Sequence, residues 1–133
     1  MADLIFAGII LGMFGITALI FMCIGVYRKK KVAKAYRNNA DLQKAKRDWE
    51  LAYAIYLDAC EEYKKLMNKI DRELAHRPYL TKIDVIHQDK ELESLRYQLK
   101  KAFETREQEW KNHQTHYAEL TKLREKYGIY GID

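Results

Sequence analysis

The feature that most constrains this chain is a stretch near its start without a single charged side chain. It runs from Leu4 to Tyr27, and Thr17 is its only clearly polar residue before Tyr27. As a helix these 24 residues would be about 36 Å long, enough to cross a hydrocarbon core of about 30 Å. A lone segment satisfies its backbone inside a bilayer only as a helix. We therefore predict a single-pass transmembrane anchor at residues 1–27.

A cleaved secretory signal is the alternative explanation for an apolar stretch at this position. The residues before Leu4 include no Lys or Arg, and no small-x-small cleavage site precedes Arg28. A lipoprotein signal also fits poorly, because the large Met22 stands before Cys23. We expect the anchor to be retained.

A basic block follows the apolar stretch and predicts its orientation. Residues 28–47 contain nine Lys or Arg against one acidic residue, Asp41. The positive-inside rule then places the N-terminus outside and the C-terminal arm in the cytoplasm of a bacterial inner membrane, or on the matrix side of an organelle inner membrane. The same charges suit anionic headgroups, and nucleic acid is not an expected partner, since no recognition motif accompanies them. The six residues assigned to topology and headgroup contact are Arg28, Lys29, Lys30, Lys31, Lys34 and Arg37.

Three glycines in the apolar stretch share one helix face. Gly8, Gly12 and Gly15 have the i, i+4, i+7 spacing of a small-xxx-small surface, which lets another helix approach closely. The partner would be another subunit of a membrane complex or a second copy of this chain. We predict a membrane helix packing site at these glycines.

The rest of the chain has the pattern of long helices. Residues 26–127 contain no glycine, which argues against a fold rich in β-turns. Apolar residues recur at alternating intervals of three and four, the period of a helix face. With no Gly or Pro in between, we expect one helix to run from Leu4 to about Ala75, residues 28–47 being its basic juxtamembrane segment. The predicted helix interface comprises Leu42, Trp49, Tyr56, Tyr63, Leu66, Ile70, Leu92, Leu95, Leu99, Trp110, Tyr117 and Leu120.

The only strong break lies at Pro78, the single proline of the chain. Thr81 suits the N-cap of a second helix, its apolar face resumes at Ile83 and Ile86, and Gly128 is a suitable stop. The fold class is therefore all-α, with an antiparallel helical hairpin at 48–127 and a tail at 128–133 that reaches the membrane interface. A reversal centred on Pro78 would set Trp49 level with Trp110 and Leu66 level with Leu92. The alternative is a proline-kinked rod that dimerises in parallel.

No pattern of catalytic residues is present. Ser94 has no glycine-rich elbow, and no phosphate-cradling loop occurs. The pairs Glu73/His76 and His113/His116 have helical spacing that metal sites use, but the first flanks the turn. We expect no enzyme activity, no cofactor and no metal.

These features together favour a structural role in a membrane. The expected function is a non-catalytic scaffold or accessory subunit of a larger membrane complex, such as a stalk-like or supernumerary subunit of an energy-transducing complex. One alternative is a phage-encoded or stress-linked membrane effector that self-oligomerises. Another is a tether whose basic residues hold anionic lipid or nucleic acid.

Overall fold

The computed structural model describes residues 1–130, which form three α-helices and no strand within that range. Helix α1 spans Ala2–Asn38, α2 spans Ala40–His76 and α3 spans Lys82–Lys126, with a short 3-10 turn at Arg77–Tyr79 between α2 and α3. Helix α1 is the only one in the described part of the chain that is long and apolar enough to cross a membrane. The all-helical fold class and the long apolar N-terminal helix are confirmed.

The predicted continuous helix from Leu4 to Ala75 is wrong, because the chain breaks at Asn39. This residue adopts an extended conformation, with φ −122° and ψ 104°. Both its backbone N–H and its side-chain amide donate to the carbonyl of Ala35, at 3.1 Å and 2.7 Å. An Asn side chain competes for backbone hydrogen bonds in this way and so favours helix ends. The basic segment 28–47 is therefore divided between α1 and α2.

Helices α2 and α3 contact each other along most of their length. Ring pairs join Trp49 to Tyr117, Tyr56 to Trp110, and Tyr63 to Phe103, with centroids 5.1–6.2 Å apart. Later residues of α2 therefore meet earlier residues of α3. The buried residues on both helices follow the three–four spacing that the sequence predicts: Leu42, Ala52, Ala59, Ile70, Leu92, Leu95, Ala102 and Leu120.

The pairing register of α2 and α3 differs from the register that a reversal centred on Pro78 would give. Trp49 lies against His113 and Tyr117, further along α3 than Trp110. Near the turn, Arg77 likewise forms a 2.8 Å ion pair with Asp89, a residue well inside α3. Leu66 does pack against the cluster that contains Leu92.

The prediction that the apolar face of α3 begins at Ile83 and Ile86 is wrong. Ile83 and Ile86 are 69% and 60% exposed, while Gln88 is buried. Thr81 caps α3 as predicted, through a capping box in which its hydroxyl accepts from the backbone N–H of Asp84 at 3.3 Å. The buried face of α3 thus begins with a polar residue, which a hydropathy pattern does not reveal.

Helix α3 ends in a Schellman motif at Gly128, in agreement with the prediction. Gly128 has φ +70° and donates to the carbonyl of Glu125 at 3.0 Å, while Ile129 donates to that of Arg124 at 2.8 Å. Ile129 is buried and Tyr130 is exposed. The remaining part of the predicted tail, residues 131–133, lies outside the described residues.

Candidate membrane-facing and packing surfaces

The apolar stretch of α1 is uncovered in the part of the chain that the structure describes, since every residue from Leu4 to Ile24 is exposed. No residue of this helix, all of which the structure describes, is buried. The predicted packing glycines Gly8, Gly12 and Gly15 are all exposed, and a methyl group built on each of them meets no described atom within 4 Å. The face is therefore open to a neighbouring helix, and larger side chains fit there without disturbing the single chain.

The basic residues assigned to topology are also exposed. Arg28, Lys29, Lys30, Lys31, Lys34 and Arg37 all lie on the last turns of α1, before the break at Asn39. The further basic residues Lys44, Lys46 and Arg47 lie beyond the break, on α2. Positive charge therefore surrounds the place where α1 meets α2.

A small core, the joint cluster, holds the three helix ends together. Leu42 of α2, Leu120 of α3 and Ile129 are its buried members. In one uninterrupted helix, Val32 and Trp49 would be about 25 Å apart along the axis, yet both pack on this cluster. The bend at Asn39 brings them together. The partly buried members are Val32, Ala35, Tyr36, Ala45, Trp49, Leu123 and Tyr127.

A polar contact closes the joint between α2 and the end of α3. The hydroxyl of Tyr127 donates to the carboxylate of Asp41, with its oxygen 2.8 Å and 2.9 Å from the two carboxylate oxygens. This hydrogen bond lowers the pKa of Asp41 below its ordinary value, and it raises the pKa of Tyr127. The contact therefore stabilises the carboxylate and keeps the phenol protonated.

A cavity of about 390 Å³ opens beside the joint cluster. It lies between all three helices, with Trp49 and Tyr117 among its walls. The Nζ of Lys46 stands 5.3 Å from the ring centroid of Tyr36. The cavity therefore combines aromatic and aliphatic walls with cationic groups, and its lining residues are Val32, Tyr36, Lys46, Trp49, Tyr117, Leu120 and Arg124.

An aromatic cluster follows the cavity along α2 and α3. His113 is in ring contact with Tyr53 at 5.2 Å, with Trp110 at 5.4 Å and with Trp49 at 5.9 Å. Both of its ring nitrogens are buried and have no hydrogen-bond partner among residues 1–130. Packing rather than polar recognition therefore holds this histidine.

Two polar residues occupy positions of the interface that the hydropathy pattern missed. The side-chain amide of the buried Gln88 donates to the backbone carbonyl of Glu73 across the two helices. The guanidinium of Arg106 lies over the rings of Tyr63 and Phe103, 4.5 Å and 5.0 Å from their centroids. Both continue the three–four spacing of α3, and that spacing, counted regardless of polarity, could have identified them.

The predicted interface residues divide into buried positions and an exposed edge. Leu42, Ile70, Leu92, Leu95 and Leu120 are buried, and Trp49, Tyr56, Tyr63, Leu66 and Leu99 are partly buried. Trp110 and Tyr117 remain 38% and 43% exposed although they contact α2. The exposed edge also includes Tyr53, Met67, Leu74 and Phe103.

The exposed edges of α2 and α3 lie side by side. Tyr53 of α2 and Trp110 of α3 both contact the ring of His113. Since Met67 and Leu74 continue the heptad spacing from Tyr53, while Phe103 and Tyr117 continue it from Trp110, the two stripes form one apolar face. We call these six residues the aromatic face.

Within residues 1–130 the cysteines form no disulfide, and the acidic and histidine residues do not cluster as metal ligands. Cys23 on α1 and Cys60 on α2 are free thiols. No group of three or more His, Cys, Asp or Glu side chains in that range is placed to hold a metal ion. Comparisons with protein-family models, with curated proteins and with solved structures found no match to this chain.

Proposed function

We propose that this protein is a non-catalytic, single-span membrane scaffold or accessory subunit of a larger membrane complex. The uncovered apolar surface of α1 is the single observation that carries the proposal. Soluble monomers rarely expose a contiguous apolar patch of more than a few hundred Å², whereas every residue of the apolar stretch from Leu4 to Ile24 is exposed. In a bilayer the same surface is solvated by lipid, and the polar backbone is satisfied within the helix.

The basic residues at the end of α1 support an orientation with the N-terminus outside. They are exposed, and they follow the apolar stretch without an equivalent group before it. The arm then lies on the cytoplasmic side of a bacterial inner membrane or on the matrix side of an organelle inner membrane.

In this proposal α2 and α3 form an antiparallel hairpin with Pro78 in its turn. The descending order of the ring contacts supports it, as do the Arg77–Asp89 ion pair and the bond from Gln88 to Glu73 near the turn. The hairpin buries only one side of each helix. A two-helix unit of this size seldom stands alone, so the aromatic face is assigned to a helix of the partner subunit.

The glycines of α1 provide the matched test. Gly8→Leu/Gly12→Leu changes a surface that touches nothing within the described chain, and Gly25→Leu places the same side chain on another side of α1, also in open space. Full-length protein is purified in mild detergent and its co-purifying proteins are identified by mass spectrometry. The accessory role predicts defined partner subunits that are retained by Gly25→Leu and lost from the double variant.

Two outcomes would contradict the accessory role. A wild-type chain that purifies alone as a monomer would rule out the accessory role. A chain that purifies alone as a discrete oligomer supports the self-oligomerising effector, because the same glycine face can accept a second copy. A chain that stays soluble without detergent contradicts the membrane anchor itself.

A further inference from the structure

We infer that the cavity at the joint of α1, α2 and α3 binds an anionic phospholipid of the surrounding leaflet. This inference rests on the membrane anchor proposed above. The volume of about 390 Å³ lies within the range of small-molecule pockets, which are mostly apolar with a few placed polar groups. The walls follow that pattern, with three aromatic and two aliphatic residues beside Lys46 and Arg124.

The position of the cavity along α1 matches the headgroup layer. The apolar stretch ends at Tyr27, and the first cavity residue, Val32, follows five residues later. That distance is about 7.5 Å along a helix, comparable to the headgroup layer of about 5–7 Å on each side of the hydrocarbon core. A lipid of the same leaflet can therefore place its headgroup at the cavity without leaving the membrane.

The charges of the cavity select the headgroup. The ammonium group of Lys46 offers donors to a phosphate, and charge-assisted hydrogen bonds of this kind are the stronger ones. Arg124 adds a second positive charge to the wall of the cavity. Lys46 also lies 3.6 Å from the carboxylate of Glu50, but both side chains of this pair are about half exposed, and such a pair contributes little. A lipid phosphate whose headgroup has no cation can compete with it, whereas a zwitterionic headgroup brings its own cation.

The aromatic walls provide a built-in reporter. Trp49 lines the cavity and Trp110 does not. We propose to measure fluorescence quenching in Trp110→Phe, which keeps Trp49, and in Trp49→Phe, which keeps Trp110. Both are placed in nanodiscs of one fixed mixture of phosphatidylglycerol and phosphatidylcholine, with bromine on the upper acyl carbons of one lipid or of the other. The expected result is stronger quenching of Trp49 when phosphatidylglycerol carries the bromine, with no such difference for Trp110.

Charge variants in the Trp110→Phe background separate the cavity from the general attraction of a basic surface. Lys46→Gln should weaken the preference for phosphatidylglycerol about fivefold, at about 1 kcal/mol per charge. Lys44→Gln removes the same charge from the same helix at a groove on another side and should leave the preference unchanged. Val32→Phe fills the cavity without changing charge and should abolish the preference, while circular dichroism confirms that the helices remain.

Three results would overturn the inference. Equal quenching by the two brominated lipids shows that the cavity does not choose a headgroup. Equal effects of Lys44→Gln and Lys46→Gln show that the basic surface alone attracts anionic lipid. Displacement of the brominated lipid by low concentrations of a fatty acid assigns the cavity to a free carboxylate instead. In each of these cases the chain still enters the nanodisc, so the proposed membrane anchor stands. A chain that does not enter nanodiscs would instead contradict the anchor.

Discussion

Gly128 is the position where backbone conformation alone decides the residue type. Its φ of +70° places it in the left-handed region, and a methyl group built on it meets no described atom within 4 Å. Gly128→Ala should therefore lower the free energy of unfolding by about 1 kcal/mol through strain, and Gly128→Asn should cost less, because Asn tolerates this region. Denaturant unfolding in micelles, followed by circular dichroism, measures both. A Gly128→Ala chain as stable as wild type would contradict the Schellman motif.

Gln88 shows how one buried amide completes the end of a helix. Near the turn, the N–H of Arg77 bonds to the carbonyl of Leu74 rather than to that of Glu73. The Gln88 side chain provides the missing donor to Glu73. Gln88→Ala should cost about 1–2 kcal/mol of unfolding free energy, measured by the same denaturant titration.

The matched control for Gln88 is Gln98 on the same helix. Gln98 is exposed, and its amide donates to the hydroxyl of Ser94 at 3.4 Å. Gln98→Ala should change stability by less than about 0.5 kcal/mol. Equal losses from the two variants would mean that the bond to Glu73 contributes nothing of its own.

The helices differ in how far their sequence predicts them. The three–four spacing from Leu42 to Ile70 predicts the buried face of α2, and Thr81 and Gly128 predict both ends of α3, because caps and periodicity are local properties. The break at Asn39 was missed because neither Gly nor Pro marks it, and the Asn side chain ends the helix only by competing for the carbonyl of Ala35. Gln88 and Arg106 were missed because their role depends on groups of the opposite helix.

The contact between the start of α2 and the end of α3 makes the joint sensitive to pH. The pKa of Asp41 lies below its ordinary 3.8, so the contact stabilises the fold above that pH, and the stabilisation is lost as pH falls through the lowered value. The pKa of Tyr127 lies above its ordinary 10.0. The stabilisation that its protonated hydroxyl contributes is therefore fully present below pH 10 and is lost as pH rises through the raised pKa. Both effects leave the contact intact near neutral pH.

Tyr127→Phe tests this dependence. Without the Tyr127 hydroxyl as donor, the pKa of Asp41 should return toward 3.8. The free energy of unfolding should then fall less steeply below pH 4 than in the wild type. Unfolding midpoints across the acid range measure the difference. Tyr130→Phe removes a hydroxyl from an exposed ring three residues away and should leave the profile unchanged. An identical acid profile for Tyr127→Phe and wild type would show that Asp41 titrates independently of Tyr127.

The arrangement of the whole chain depends on register, which a repeating pattern specifies poorly. A three–four spacing looks the same after a shift of one heptad, so only the assumption of a reversal centred on Pro78 set Trp49 level with Trp110. The structure places it beside His113 and Tyr117, and near the turn it pairs Arg77 with Asp89. The path of a connection depends on contacts between parts of the chain that are distant in sequence, and a repeating pattern does not contain them.

Disulfide cross-linking distinguishes a chain that pairs with itself from one that pairs with a second copy. Tyr63 and Phe103 have ring centroids 6.2 Å apart, so Tyr63→Cys/Phe103→Cys, made after replacing Cys23 and Cys60 by Ala, should oxidise to a monomer that migrates faster on a non-reducing gel. Tyr63→Cys/Leu95→Cys, the pair expected from a reversal centred on Pro78, should remain largely reduced. In two parallel rods, residue 63 of one copy would instead face residue 63 of the other. If the single variant Tyr63→Cys forms disulfide-linked dimers and the double variant gives no intrachain product, the chain is a kinked rod that pairs with a second copy.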